Sequence, residues 1–189
     1  MNNPFIVLSE VVHLLDERGI NYVVVGSLAS SMHGMYRATA DIDLIADIQP
    51  SQVRPLLEEL QNRFYVDEQA VEQAVSQQRS FNAIHFDSVF KVDIFIPKPG
   101  DFAMQQLKRR QLRKIAPDIE QQIYVATAED MILAKLRWFR DGGEVSEQWR
   151  DVLGMIGASG VQLDLEYLAP WATELGVSEL WEKALAEAL

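Results

Sequence analysis

Three aspartates carry the chemistry that is legible in this sequence. Asp41 and Asp43 flank Ile42 in the run Asp41-Ile42-Asp43-Leu44, and Asp93 interrupts the apolar run Val92-Asp93-Ile94-Phe95-Ile96. Residues two apart on a strand point to the same side. Asp41 and Asp43 therefore project together, while Ile42 and Leu44 turn towards a core. Two neighbouring carboxylates repel and need a cation, or a raised pKa, to coexist. Hard divalent ions such as Mg²⁺ or Mn²⁺ suit such oxygen ligands. If the strand of Asp93 runs beside that of Asp43, three carboxylates share one site. Such a site can hold two ions, one activating an attacking hydroxyl and one steadying a leaving pyrophosphate. Asp93 is then also the candidate general base. Taken alone, Asp-x-Asp is short and common, and a solvated strand face explains it. Asp93 within a hydrophobic strand brings the metal-binding reading level with that one.

Gly26-Ser27 follows the β-branched run Val23-Val24-Val25 and precedes a short helical stretch. A glycine at such a turn lets a phosphate approach the backbone, and the helix start offers unpaired N–H groups. Taken alone, the pair is better explained by an ordinary tight turn with a serine cap. No Gly-x-Gly-x-x-Gly and no Gly-Lys-Ser/Thr phosphate loop occurs. Lys135 shares a helix face with Met131, Ile132, Trp138 and Phe139 at spacings of three and four. There it either snorkels along an apolar stripe or reaches a triphosphate. Arg150-Asp151, on the next helix, is a surface pair or a brace for Lys135.

These residues need a scaffold, and the sequence supplies a mixed one. A helix is expected over 5–18, capped by Asn3 with Pro4 in its first turn and stopped at Gly19. Strands are expected at 21–25, 42–45, 80–86, 89–96, 112–116 and 123–126. Between them fall helical stretches at 28–33 (closed by Gly34), 50–62 and 68–78, and another after the break at Pro97-Lys98-Pro99-Gly100. A helix begins at Thr127-Ala128-Glu129-Asp130, where acidic residues suit the helix dipole, and stops at Gly142-Gly143. Everything beyond reads as helix, over 146–157, 164–175 and 178–188. The expected fold is α+β, a mixed sheet with flanking helices over 1–126 followed by a helical C-terminal part over 127–189.

Composition narrows the function classes. The 189 residues include 17 Lys+Arg and 28 Asp+Glu, a net charge of −11. General nucleic-acid binders are normally basic, which argues against passive coating of DNA. It does not argue against a local patch for an RNA end, and Lys108-Arg109-Arg110 with Arg113-Lys114 is the one basic run. The run reads as a solvated helix end before it reads as an RNA or triphosphate contact. With Cys 0, disulfides and thiolate chemistry are excluded. No stretch approaches the roughly 20 apolar residues of a membrane span. No secretory signal is seen, and a cytoplasmic protein is expected. His13, His33 and His85 lack metal-ligand spacing. The four tryptophans, Trp138, Trp149, Trp171 and Trp181, fit helix packing.

Together these residues resemble the nucleotidyltransferase-fold superfamily: a strand, Gly-Ser, a short helix, Asp-x-Asp, and a third acidic residue on a later strand. Arg37-Ala38-Thr39-Ala40-Asp41-Ile42-Asp43-Leu44 is similar to the Arg-x-Thr-x-Asp-Ile-Asp-Leu segment of the AbiEii-type, toxin-like nucleotidyltransferases. Glu129-Asp130, Ala134-Lys135-Leu136 and Arg150-Asp151 continue the likeness. That group often has Gly-Gly where this chain has Gly26-Ser27, as in the wider superfamily. The resemblance implies metal binding by Asp41, Asp43 and Asp93, and donor phosphate contacts from Gly26, Ser27 and Lys135. It places Arg37 and Thr39 near the site, and Asp151 matches a later acidic motif. It implies transfer of a nucleoside monophosphate from an NTP to tRNA, a protein or a small molecule. A cognate antitoxin is the partner such a role would bring. The alternative is a catalytically silent nucleotide-binding or protein-interaction module of the same fold.

Overall fold

The computed structural model describes residues 3–33, 41–116, 119–142, 146–159 and 162–188. Its first helix starts where the sequence says it should. The Asn3 side chain accepts a hydrogen bond from the Phe5 backbone N–H at 3.0 Å, and Pro4 opens α1 (Pro4–Glu17). Val7, Leu8, Val11, Val12 and Leu15 recur at helical spacing and are all buried. Gly19, at φ +61°, supplies the left-handed turn that ends the helix and leads into β1 (Tyr22–Val25).

The chain continues through α2 (Gly26–Met32), β2 (Asp41–Ala46), α3 (Pro50–Leu60), β3 (Phe64–Tyr65), α4 (Glu68–Gln77), β4 (Ser80–His85), β5 (Lys91–Phe95) and α5 (Phe102–Arg109). Then come β6 (Gln111–Ala116), β7 (Ile119–Val125), α6 (Ala128–Asp141), α7 (Ser146–Ser159), α8 (Leu165–Glu174) and α9 (Ser178–Ala188). Every strand expected from the sequence is present. The short β3 was not expected, because two residues are too few to show alternation.

Among the described residues the strands form one seven-stranded sheet in the order β3-β4-β5-β2-β1-β7-β6. It is mixed: β2 runs parallel to β5 and β1 to β7, while the remaining neighbours are antiparallel. Side chains alternate cleanly across its middle. Ile42, Leu44, Val92, Ile94, Phe81 and Ala83 are buried on one face. Helix α4 packs against β4, and α1 against α3. His85, on the buried side of β4, lies with Nε2 3.2 Å from the Glu10 carboxylate of α1, while its Nδ1 is 2.8 Å from Ser88 Oγ. It ties the β4–β5 hairpin to the first helix, a structural role like the one its spacing suggested.

Two compact units emerge. One holds the described residues of 1–28 and 38–126, the other those of 29–37 and 127–189. In the second, Thr127 caps α6 by accepting from the Asp130 N–H at 3.2 Å. Helix α6 packs on α7 and α8, and α7 on α9. The apolar stripe of α6 is narrower than its spacing suggests. Met131, Ile132, Leu136 and Phe139 are buried, but Trp138 is 62% exposed. Three residues on from Lys135 is 60° short of a full turn, which carries Trp138 over the edge of the buried stripe. Among the described residues no helix is long and apolar enough to cross a membrane.

Candidate active site

The face opposite the core, across β4, β5 and β2, is partly open and carries Asn82, Lys91, Asp93, Asp41 and Asp43. The parallel register of β2 and β5 sets Asp41 beside Lys91 and Asp43 beside Asp93. Parallel pairing brings such partners to about 4.8 Å between strands, so four charged side chains stand at the corners of a small square. The Asp93 side chain is 21% exposed and that of Asp41 51%. On the other side of Asp93, the antiparallel β4 places the exposed Asn82 as its cross-strand partner. The neighbours of these polar residues within each strand, Ile42, Leu44, Val92 and Ile94, are 0% exposed. That apolar anchoring fixes which way the aspartates point.

Gly26 borders the same square. It follows Val25, which is paired with Asp43, and it begins α2 at φ +67°. A Cβ at this position would lie 2.0 Å from Asp43 Oδ2 and 2.9 Å from Asp43 Cβ. The glycine is therefore required twice over, by its backbone conformation and by the carboxylate laid against it. The sequence reading had the glycine admitting a phosphate. What lies against it here is the Asp43 side chain, with Ser27 next in the chain.

Among the described residues, Lys91 brings a positive charge to this face. Its ammonium is 2.7 Å from Asp93 Oδ2 and 3.8 Å from Asp41 Oδ1. The hydrogen bond that Lys91 donates to Asp93 holds the Lys91 pKa above its ordinary value, partly opposed by burial and reinforced by the charges of Asp93, Asp41 and Asp43. Sequence reasoning gave Lys91 no role. The period-two argument that pairs Asp41 with Asp43 also pairs Lys91 with Asp93, so the signal was there. Asn82 is likewise on the open side of an alternating strand.

The donor set suits a hard divalent ion, being all carboxylate oxygen on one half-open face. Among the described residues, however, no group of three His, Cys, Asp or Glu stands ready to hold an ion. The cation between Asp41 and Asp93 is the Lys91 ammonium, a stand-in for the charge such an ion would bring. The donor chemistry fits such an ion, and the flexible four-carbon stem of Lys91 lets its ammonium move aside for one.

Arg37 and Thr39 lie outside the described residues, as do the expected stops at Gly34 and Gly143. Lys135 is in the helical unit and only 4% exposed. Its ammonium donates to Asp151 Oδ2 at 2.7 Å and to Gln148 Oε1 at 3.0 Å. Of the two sequence readings for Asp151, the brace is the one observed. A cleft of about 480 Å³ opens beside Phe139, Arg140 and Val177, and none of the sequence-designated residues lines it. The basic run is split between the end of α5 and β6 at the sheet edge. Arg110 stacks over Tyr124 at 4.4 Å and donates to Asn21, and Lys114 pairs with Glu120 at 3.0 Å.

A mixed sheet of this order, with paired carboxylates on its central strands and Gly-Ser at the first strand–helix turn, defines a nucleotidyltransferase-like protein. Over residues 4–154 the chain matches the family described as nucleotidyltransferase of unknown function (DUF6036), and it belongs to that family. Its fold is similar to that of an antigenic nucleotidyltransferase-like protein from Paracoccidioides brasiliensis. That comparison has 17% identity and a TM-score of 0.59, covering 96% of this chain and 91% of the other. It is also similar to the antibiotic-resistance factor ANT(2'')-Ia, at 12% identity and a TM-score of 0.56, covering 99% and 97%. At these identities the likeness concerns the fold. A comparison with curated proteins finds no match.

Proposed function

We propose that this protein transfers a nucleoside monophosphate from an NTP to an acceptor hydroxyl, with Asp41, Asp43 and Asp93 as the ligands of Mg²⁺ or Mn²⁺. The observation that carries the reading is the register Asp43↔Asp93 on a half-open face, with Asp41 on the same side of its strand. When bound, the ion neutralises phosphate charge, acidifies the acceptor hydroxyl and steadies the departing pyrophosphate. The acceptor oxygen forms a bond to the α-phosphorus, and the bond from that phosphorus to the bridging oxygen of pyrophosphate breaks. The acceptor proton passes to Asp93, the general base.

Gly26 and Ser27 are assigned to the donor phosphates, through the N–H groups at the start of α2 and the serine hydroxyl. Lys135 is assigned to the same phosphates. An ammonium has three N–H donors, and Asp151 and Gln148 engage two of them. Arg37 and Thr39 complete the donor site by the resemblance of their segment to the AbiEii-type group. The same resemblance makes a toxin role with a cognate antitoxin the proposed setting. A small molecule or protein is favoured as acceptor over tRNA by the net charge of −11 and by the intramolecular partners of the basic run.

The test is transfer of label from each α-³²P NTP, with Mg²⁺ or Mn²⁺ and a cell lysate, beside Asp41→Asn and Asp43→Asn. Label should enter one RNA, protein or small-molecule fraction with the wild type, and fall by at least about a hundredfold in either variant. Equal labelling by the variants would remove the site. Binding of Mg²⁺-NTP that depends on Asp41, without transfer, would instead identify a silent nucleotide-binding module.

A further inference from the structure

We propose that Lys91 is a resident cation of the carboxylate face, competing with the divalent ion for the Asp41 and Asp93 oxygens and so setting how tightly the ion binds. The inference rests on the metal-binding reading above and deepens it.

Lys91 and Asp93 are two apart on β5 and share a face, and the parallel register sets Lys91 beside Asp41. The ammonium donates to Asp93 Oδ2 at 2.7 Å and is 3.8 Å from Asp41 Oδ1. A small divalent ion binds a carboxylate oxygen at about 2.1 Å. An ion on that Asp93 oxygen would therefore stand within a few Å of the ammonium. Two cations so close repel, and they draw on the same carboxylates. The repulsion is relieved when the lysine leaves, and the lysine can. Its side chain is 41% exposed, and its stem lets the ammonium swing to water or to a bound phosphate without moving the strand.

The arrangement also explains how three carboxylates fold onto one face. Asp43 and Asp93 are cross-strand partners, a placement that is destabilising for like charges. Lys91 offsets part of that repulsion. A divalent ion offsets more, and releases the lysine.

Lys91→Met keeps an unbranched stem and removes the charge. Mn²⁺ binding is measured at fixed ionic strength, by calorimetry and by the electron paramagnetic resonance signal of free Mn²⁺, for wild type, Lys91→Met, Lys91→Arg and Asp43→Asn. Melting of each is followed in chelator-treated buffer and in excess Mn²⁺. Lys91→Met should bind Mn²⁺ roughly tenfold more tightly than wild type, melt lower in chelator and gain more from added Mn²⁺. Lys91→Arg, which restores the charge, should return the affinity to the wild-type range. A merely structural lysine would lower melting in Lys91→Met without tightening Mn²⁺. Unchanged or weaker Mn²⁺ binding by Lys91→Met, with wild-type binding still lost in Asp43→Asn, would overturn the role of Lys91 and leave the metal site standing. No Mn²⁺ binding by either wild type or Lys91→Met would overturn both.

Discussion

At the scale of single residues, Gly26 has no room for a side chain unless Asp43 moves. Alanine there meets two separate obstacles, a positive φ and the Asp43 carboxylate 2.0 Å from its Cβ. Backbone strain of this kind costs about 1–3 kcal/mol, and the clash adds to it unless Asp43 moves. Gly26→Ala should therefore lower unfolding free energy by roughly 2–4 kcal/mol in denaturant titrations. The fraction that stays folded should have lost divalent-ion affinity, because the carboxylate has been displaced. Wild-type ion affinity in a folded Gly26→Ala protein would show that the position of Asp43 does not matter. The three aspartates themselves were legible from residue type and period. The same period sets Lys91 beside Asp93, and the register then sets it against Asp41.

At the scale of elements, the buried pair between α6 and α7 offers the sharpest test. Lys135 and Asp151 side chains are 5% and 8% exposed and meet at 2.7 Å. Removing one partner of a buried pair leaves a charge without compensation, at a cost of about 3–5 kcal/mol, whereas replacing both by apolar groups is often neutral. Lys135→Met and Asp151→Leu should each destabilise strongly, and the double variant should recover most of the loss. A double-mutant cycle by chemical denaturation measures this. Donor affinity of the folded double variant then isolates the assigned phosphate contact. A Kd for Mg²⁺-NTP equal to that of wild type would leave the pair a purely structural one.

The elements themselves were easy to read where local chemistry fixes them. Asn3, Asp67 and Thr127 each accept a hydrogen bond from a backbone N–H in the first turn of their helices, and such residues announce helix starts. β3 escaped because Phe64–Tyr65 forms a strand only through its pairing with His85 and Ile84, residues about twenty positions away. Trp138 was placed on an apolar face by spacing alone. The width of that face depends on how α7 and α8 cover α6, which no window of sequence contains.

At the scale of the whole molecule, the net charge of −11 gives the folded chain a field that repels itself and the triphosphate it is assigned to bind. Raising NaCl to about 0.15 M shortens the screening length to about 8 Å and should raise the melting temperature slightly. At matched ionic strength, Mg²⁺ should raise it further in the wild type. An ion present at about 100 times its Kd adds about 2.7 kcal/mol through linkage. Asp43→Asn should show the NaCl effect and lose the extra Mg²⁺ effect, as read by thermal scans. Equal Mg²⁺ responses in the two proteins would mean that the ion acts only as general screening.

Local sequence determined most of what is local here: the caps, the alternation that turns Asp41, Asp43 and Asp93 away from a core, and the glycine at a strand–helix turn. These depend on contacts within a few residues, so type and spacing suffice. The tertiary structure alone decided that β2 lies parallel to β5 rather than elsewhere in the sheet. That pairing joins residues about fifty positions apart, and the shared burial of Ile42, Leu44, Val92 and Ile94 fixes its register, since a slip of one residue would turn the aspartates into the core. From that register come the facing of Asp43 and Asp93 and the lysine cation between Asp41 and Asp93. The sequence alone named none of these.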